Sequence, residues 1–377
     1  MKVIIEQARL LAILTTCKLT VDTKAPSTIL SCVRLSAAGN ILEAMTTAID
    51  IQSSDQAPAE VEVAGEICVN QSDFHDLVRR LPEGAEVALE VVGAQLLIRA
   101  GRVKAALAGL DASTFPALAP PEYTHSFSLP AADLARLLRE TEFAMSTAED
   151  RFTLCTIYLH AADLDGKPYL RAVATDGIAL SWSDIDLPTE ADGMPGVLLP
   201  SRTVNVFSGI LGKRADKNAT EPVRIDVCDT KVGLSVGTIG ITTKLVDGDY
   251  PPYRRIIPEG GDVFVKLPRR QLQLASERAV SILDGKSKGI HLEFSGEQEG
   301  GLQLTSAEGA STIEDRLNII IEGGPAKFIV NGQHLARSLA SFNCDDISLA
   351  ISTQGSPLRL FNDQDDHHGV VIGLMRG

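Results

Sequence analysis

One local pattern recurs six times along the chain, and no other feature restricts its fold so strongly. An apolar strand leads into an amphipathic helix, and two or three alternating strands with glycine turns follow. The first unit runs from Val3–Ile5 through a helix over 5–20 to strands at Ile29–Ser36 and Ile41–Thr46. The second joins Glu66–Val69 to a helix over 70–81 and strands at Glu86–Val91 and Gln95–Ala100. The proline-rich stretch Pro116–Pro121 reads as a linker. Beyond it, Ser126–Leu129 leads into a helix over 131–145, then Thr153–His160 and a hairpin over Leu170–Trp182. Gly196–Leu199 opens the fourth unit, with a helix over 201–215 and strands Val223–Val227, Val232–Val236 and Ile239–Leu245. The fifth pairs Phe264–Leu267 with a helix over 268–283 and strands Ile290–Phe294 and Leu302–Ser306. The sixth pairs Lys327–Val330 with a helix over 331–342 and strands Ile347–Ile351, Leu358–Phe361 and Val370–Leu374. Two units per domain predict three similar domains, over 1–120, 126–256 and 257–377. Helices followed by hairpins, with few long crossovers, predict an α+β fold with antiparallel sheets. Each sheet then has one face under a helix pair and one face in water.

Charge is distributed unevenly over this pattern. The chain carries a formal charge of −14, which taken alone argues against a polyanionic partner. The six helical segments nevertheless hold thirteen bases against seven acids. Their +6 leaves about −20 for everything else. If the helices share a surface, that surface attracts phosphate while the remainder repels it. Binding through phosphates alone is independent of sequence. The helices hold almost no aromatic residues for stacking single strands, so duplex is the expected form.

Motifs that suggest catalysis fail on their context. Gly233-Leu-Ser235-Val-Gly237 matches the G-x-S-x-G elbow, but the following Thr238–Leu245 reads as a strand where the elbow needs a helix. Gly285-Lys-Ser287 lacks the glycine that a phosphate loop needs five residues earlier, where Val280 stands. The dense run Asp363-Gln-Asp-Asp-His-His368 offers carboxylates and imidazoles, but it is expected to be a solvated loop between the last two strands. No metal or cofactor is expected. The six cysteines all lie in apolar runs without C-x-x-C spacing, as expected of free thiols in a cytoplasmic protein. No apolar run reaches the roughly 20 residues of a membrane helix, and no membrane partner is expected.

The most informative stretch is Leu170–Trp182, LRAVATDGIALSW. Asp176-Gly177 between alternating runs predicts a tight hairpin turn with positive φ at both central residues. Together with Leu180, this stretch resembles the ATDGHRL signature of the bacterial sliding clamp, the β subunit of DNA polymerase III. Tyr250–Pro258 (YPPYRRIIP) and Gly369–Arg376 (GVVIGLMR) match the same family. Further landmarks are Pro26–Leu30, Leu81–Glu86, Phe115-Pro116 and Lys244–Gly248. Their order spans essentially the whole chain.

The resemblance implies the DNA clamp fold: a head-to-tail homodimeric ring of six domains, with helices inside and sheets outside. Such a ring encircles duplex DNA and confers processivity without catalysing anything. The implied partners are the DNA polymerase III α subunit, the clamp loader and other proteins carrying a short Gln/Leu/Phe motif. By position, the partner-peptide pocket uses Leu154, Thr175, Gly177, Leu180, Pro251, Arg255, Ile256, Val371, Ile372, Met375 and Arg376. DNA-facing positions are Lys24, Arg80 and Arg202, supported by Arg136, Arg139, Lys213, Arg214 and Arg278. Ala105 and Leu107 meet Ile282 and Leu283 at the dimer seam. Several positions depart from the family. Ile178-Ala179 replaces the usual His-Arg, and Gly373-Leu-Met-Arg-Gly377 replaces the usual Met-Pro-x-Arg ending. Ala105 stands where an aromatic is common. Altered motif binding and a looser seam are expected. Two alternatives remain open from sequence: a clamp paralogue with altered partner specificity, and a serine hydrolase using Ser235.

Overall fold

The structure, a computed structural model, describes residues 1–22, 28–119, 121–217, 220–258, 260–283, 288–295, 301–308, 311–317, 320–322, 325–351 and 356–375, with backbone only for 213–217 and 320–322. All six repeat units are present. In chain order they are β1 (Lys2–Glu6), α1 (Gln7–Cys17), β2 (Cys32–Ala38), β3 (Ile41–Thr47), β4 (Ile51–Pro58) and β5 (Glu60–Val63); then β6 (Gly65–Asn70), α2 (Gln71–Arg79), β7 (Glu86–Val92), β8 (Gln95–Ala100) and β9 (Val103–Leu110). The third and fourth are β10 (His125–Pro130), α3 (Ala131–Thr141), β11 (Thr156–Leu164), β12 (Lys167–Thr175) and β13 (Ala179–Asp186), then β14 (Val197–Pro200), α4 (Ser201–Lys217), β15 (Pro222–Val227), β16 (Lys231–Val236) and β17 (Ile239–Lys244). The last two are β18 (Val263–Pro268), α5 (Arg269–Ser281), β19 (Gly289–Phe294), β20 (Leu302–Glu308), β21 (Ser311–Leu317) and β22 (Ile320–Glu322), then β23 (Ala326–Asn331), α6 (Gly332–Ser341), β24 (Asp346–Ile351), β25 (Leu358–Asn362) and β26 (Asp365–Ile372).

In every unit the helix begins at the residue after the strand ends. The junction works because an N-cap residue already has β-region dihedrals, so the last strand residue doubles as the cap. Asn70 takes φ −55° and accepts a hydrogen bond from the Asp73 amide; Asn331 takes φ −69° and accepts from Gln333 and His334. Pro130, Pro200 and Pro268 fill the same position in three other units. A proline there has a suitable fixed φ and no amide hydrogen to leave unsatisfied.

The chain forms two compact units. The first comprises Met1–Ala132, Pro188–Pro195 and Asn205–Leu245. Its sheet has the order β10-β15-β16-β17-β4-β3-β2-β6-β9-β8-β7-β1-β5, antiparallel throughout. Leu10, Ile13, Leu14 and Cys17 of α1 and Phe74 and Val78 of α2 share one core with the strands beneath. The two helices are joined reciprocally. Gln7, the first residue of α1, donates from Nε2 to the Val78 carbonyl near the end of α2, at 2.9 Å. Gln71, the first residue of α2, donates to the Leu14 carbonyl near the end of α1, also at 2.9 Å.

Among the described residues this sheet leaves an edge open at β9, besides those of its terminal strands β10 and β5. β9 pairs with β8 from Gln95↔Ala108 to Ala100↔Val103, but with β6 only at Cys68↔Leu110 and Val69↔Gly109. The Gly109 amide bonds the Ala94 carbonyl, which sets the phase of the ladder. Hydrogen bonding alternates along an antiparallel pair, so the amides of Lys104, Ala106 and Ala108 point to the open side.

The second unit comprises Asp133–Leu187, Gly196–Val204 and Val246–Gly377. It contains a nine-stranded sheet, β14-β11-β12-β13-β26-β25-β24-β18-β22, and a four-stranded sheet, β21-β20-β19-β23. Leu272, Ala275 and Ala279 of α5 recur at helical spacing and meet Leu335 and Leu339 of α6 over the strands. Arg269 closes this helix pair, donating to the carbonyls of Cys344 (2.8 Å) and Leu339 (3.1 Å).

Two sequence expectations are corrected here. Asp365–His368 is not loop but the start of β26, so only Asp363 and Gln364 form the turn after β25. His368 is buried, with Nδ1 2.7 Å from the Trp182 carbonyl and Nε2 2.9 Å from the Ser341 hydroxyl. Those bonds occupy both ring nitrogens. Asp365, Asp366 and His367 do lie together, their ligand atoms within 4.8 Å of one another on the surface. The helix expected over 131–145 ends at Thr141 and continues as a 3-10 turn over Glu142–Ala144.

Candidate functional site

The Leu170–Trp182 segment forms the predicted hairpin, but its turn is built differently from expectation. Three residues, Asp176 to Ile178, lie between β12 and β13, and Gly177 alone has positive φ, at 90°. Side chains close the turn. Asp176 Oδ1 accepts from the amides of Ile178 (2.8 Å) and Ala179 (2.9 Å). The Thr175 hydroxyl donates to the Ala179 carbonyl at 2.6 Å and accepts from the Gly177 amide at 3.1 Å. An aspartate that bonds amides ahead of it makes a primed two-residue turn unnecessary.

β13 pairs along its other side with β26, matching Leu180 with Val371 and Trp182 with Gly369. The Gly373 amide extends the contact to the Ile178 carbonyl at 2.8 Å. Tyr250–Pro258 packs against the same sheet face. Val173, Leu180, Trp182, Tyr253 and Val371 form one buried cluster, with Tyr158, Tyr250 and Ile257 against it. The rings are layered: Tyr158 stacks on His160 at 4.3 Å and on Tyr250 at 5.1 Å. His160 Nε2 lies 3.0 Å from the Tyr253 hydroxyl. Burial lowers the His160 pKa to about 4, so it is neutral at physiological pH.

The three family-like segments therefore converge on one surface. Leu180 and Val371 sit in the cluster, and Thr175 is buried at the hairpin tip beside Gly177. Pro251 and Leu154 are half-buried, while Arg255 and Ile256 are exposed at the end of a 3-10 turn. Ile372 is placed elsewhere. Successive strand residues face opposite ways, and Ile372 belongs to the core under α5 and α6. Met375 donates its amide to the Ile329 carbonyl at 2.8 Å. Arg376 lies outside the described residues.

Sequence reasoning missed several residues of this surface. Arg151 points its guanidinium at the Asp176 carbonyl (3.3 Å), yet in sequence it reads as one loop charge among others. Trp182 was inside a recognised segment but was not assigned to the site. It fits only because residue 369 is glycine: a Cβ there would stand 2.2 Å from the indole ring. Gly369→Ala is expected to cost about 1–3 kcal/mol and to shift the emission of the chain's one tryptophan. Urea unfolding followed by that emission measures both.

The helix bases are mostly exposed. Arg80 lies 3.9 Å from Asp76, and Arg139 lies 3.6 Å from Glu140. Arg202 is exposed at the start of α4. Arg136 is committed to Glu140 (3.4 Å) and the Asp184 carbonyl (3.0 Å), and Arg278 pairs with Asp315. Lys24 and the side chains of Lys213 and Arg214 lie outside the described residues. Ala105 and Leu107 are half-buried on β9; Leu283 is buried in the α5–α6 core, with Ile282 packed against it. Ser235 lies within β16, opposite Gly240, with a strand after it and not a helix.

Residues 1–119 match the family model of the DNA polymerase III β subunit N-terminal domain, and residues 128–252 match that of its central domain. The chain belongs to the bacterial sliding-clamp family. A curated β sliding clamp from Caulobacter vibrioides is 32% identical over 89% of both chains. One from Escherichia coli is 28% identical over 83% of this chain and 82% of its own. Among solved structures, the Bartonella birtlesii sliding clamp bound to griselimycin superposes with a TM-score of 0.94 at 28% identity, covering 100% of both chains. The fold is the α+β DNA clamp fold. The protein is a DNA sliding clamp, a non-catalytic processivity subunit of DNA polymerase III, and the likenesses favour neither alternative reading. No helix among the described residues is long and apolar enough to cross a membrane.

Proposed function

We propose that two copies of this clamp, each of three domains over 1–120, 126–256 and 257–377, close head to tail around duplex DNA in the cytoplasm. The Leu180–Val371 surface tethers the polymerase α subunit, the clamp loader and other bearers of a short Gln/Leu/Phe motif. The convergence of three separate segments on one aromatic-backed face carries the partner-site reading. A face with apolar anchors and a few polar groups suits a short peptide. A related clamp solved with griselimycin agrees with a ligand-competent surface in this fold.

Arg80, Arg139 and Arg202, together with Lys24, Lys213 and Arg214, would hold DNA through its phosphates. Arg136, which is held by both Glu140 and the Asp184 carbonyl, and Arg278, which is hydrogen-bonded to Asp315, would contribute less. The open edge of β9 would make the seam through Ala105 and Leu107, flanked by Ile282 and Leu283 of the partner. Arg102 and Lys104 give that edge a positive charge, and among the described residues β21 pairs with β20 alone, which leaves its other side for a partner strand.

Enclosure predicts a topological signature. Once loaded, the clamp should stay on nicked circular plasmid through a high-salt wash and leave when the plasmid is cut to a linear form. Equal retention on both forms would mean ordinary surface binding and would overturn the ring.

A further inference from the structure

Strand registers align a single row across one face of the nine-stranded sheet. Thr175 faces Leu180, Leu180 faces Val371, Val371 faces Arg359, and Arg359 faces Ala350. Directly opposed residues of antiparallel strands project from the same side. Arg359 therefore stands one strand beyond the Leu180–Val371 pair. Its guanidinium lies 5.9 Å from the Trp182 ring and 5.1 Å from the Phe361 ring. A second guanidinium, that of Arg171, lies 6.0 Å from the same indole.

The two arginines differ in their anions. Arg171 meets Asp184 through two hydrogen bonds of 2.6 Å. Arg359 makes a single 3.5 Å bond to the Pro258 carbonyl, and its Nε is buried without a partner. Among the described residues no carboxylate lies within ion-pair distance of it. Burial pushes its pKa down, with the Asp366 charge opposing more weakly. A half-buried cation without an anion is an unmet electrostatic demand. A ligand lying over Leu180 and Val371 reaches this cation within one strand spacing, about 5 Å.

We propose that Arg359 is a specificity-determining residue of the partner surface, selecting peptides that present a carboxylate beside their apolar anchors. The inference rests on that surface being the partner site. It also gives the loss of a basic side chain at Ile178-Ala179 a counterpart: the face keeps a cation, one strand further along.

The test uses two amidated peptides, Gln-Leu-x-Leu-Phe and the same sequence extended by Glu, titrated into the full chain. The acidic peptide should bind about tenfold tighter, as expected for one charge-assisted hydrogen-bonded contact. The advantage should shrink as salt rises. Arg359→Gln should bind both peptides at the neutral peptide's affinity, and Arg359→Lys should keep part of the preference. An unchanged far-UV circular dichroism spectrum and an unchanged urea midpoint show that each variant is folded. Absence of a preference in the parent, or its survival in Arg359→Gln, overturns the inference. The surface itself then still stands if Leu180→Ala weakens the neutral peptide. If neither peptide binds, or Leu180→Ala has no effect, the partner-site reading fails and the inference falls with it.

Discussion

A clamp carrying Ala106→Pro is expected to sediment as a folded monomer and to lose its retention on circular DNA. Ala106 presents its amide to the open side of β9, while the adjacent Ala105 and Leu107 bond β8. Proline is tolerated on an edge strand because it gives up only the outward hydrogen. The substitution therefore spares the chain's own sheet and strikes the proposed seam. One lost bond and one carbonyl left unsatisfied amount to about 2–4 kcal/mol, roughly a hundredfold, at each of the two seams that close a head-to-tail ring. Sedimentation velocity over a concentration series gives the result. A dimer as tight as the parent would show that β9 is not the seam.

The largest loss of stability is expected from Asp184→Ala. The Arg171–Asp184 pair is nearly sealed, with side chains 6% and 2% exposed. Removing the acid leaves a buried guanidinium against Trp182 with nothing to neutralise it. Breaking such a pair from one side costs about 3–5 kcal/mol, whereas replacing both partners with apolar residues of similar volume can be nearly neutral. Urea unfolding of Asp184→Ala and of a double variant, Arg171→Met with Asp184→Leu, separates the two effects. A single variant as stable as the parent would show that water reaches the pair. The same pair lies beside Trp182 on the sheet face of the proposed partner surface, so Asp184→Ala should weaken peptide binding while Arg359→Gln leaves stability alone.

The repeat was legible because it rests on local signals, hydrophobic periods and glycine turns; the asparagine or proline where strand gives way to helix came only with the structure. Strand β4 was not legible, and β9 was reached only through the family resemblance that put Ala105 and Leu107 at the seam. β4 buries polar residues that read as loop. Ser53 is fully buried and bonds the hydroxyls of Thr20 (2.5 Å) and Thr46 (2.9 Å), and Asp55 accepts from Thr16 (2.8 Å) and Thr238 (2.7 Å). Such clusters become strand only through partners distant in sequence. β9, VKAALAGL, carries three alanines and a glycine, which mute the alternation. At the site, the hairpin and the terminal strand were visible through Asp176-Gly177 and the family-like ending. Arg359, Trp182 and the outward turn of Val371 against the inward turn of Ile372 were not, since they depend on register across strands.

The crossed amides of Gln7 and Gln71 say something about how such a domain is put together. Each helix supplies the bond that finishes the other, so neither half is complete alone. A chain half as long, carrying one strand–helix–strands unit, would hold an idle glutamine at one end of its helix and a bare carbonyl at the other. A second copy laid end for end would satisfy both. The fused domain keeps that bargain between its two halves, and breaking either glutamine should loosen both helices together.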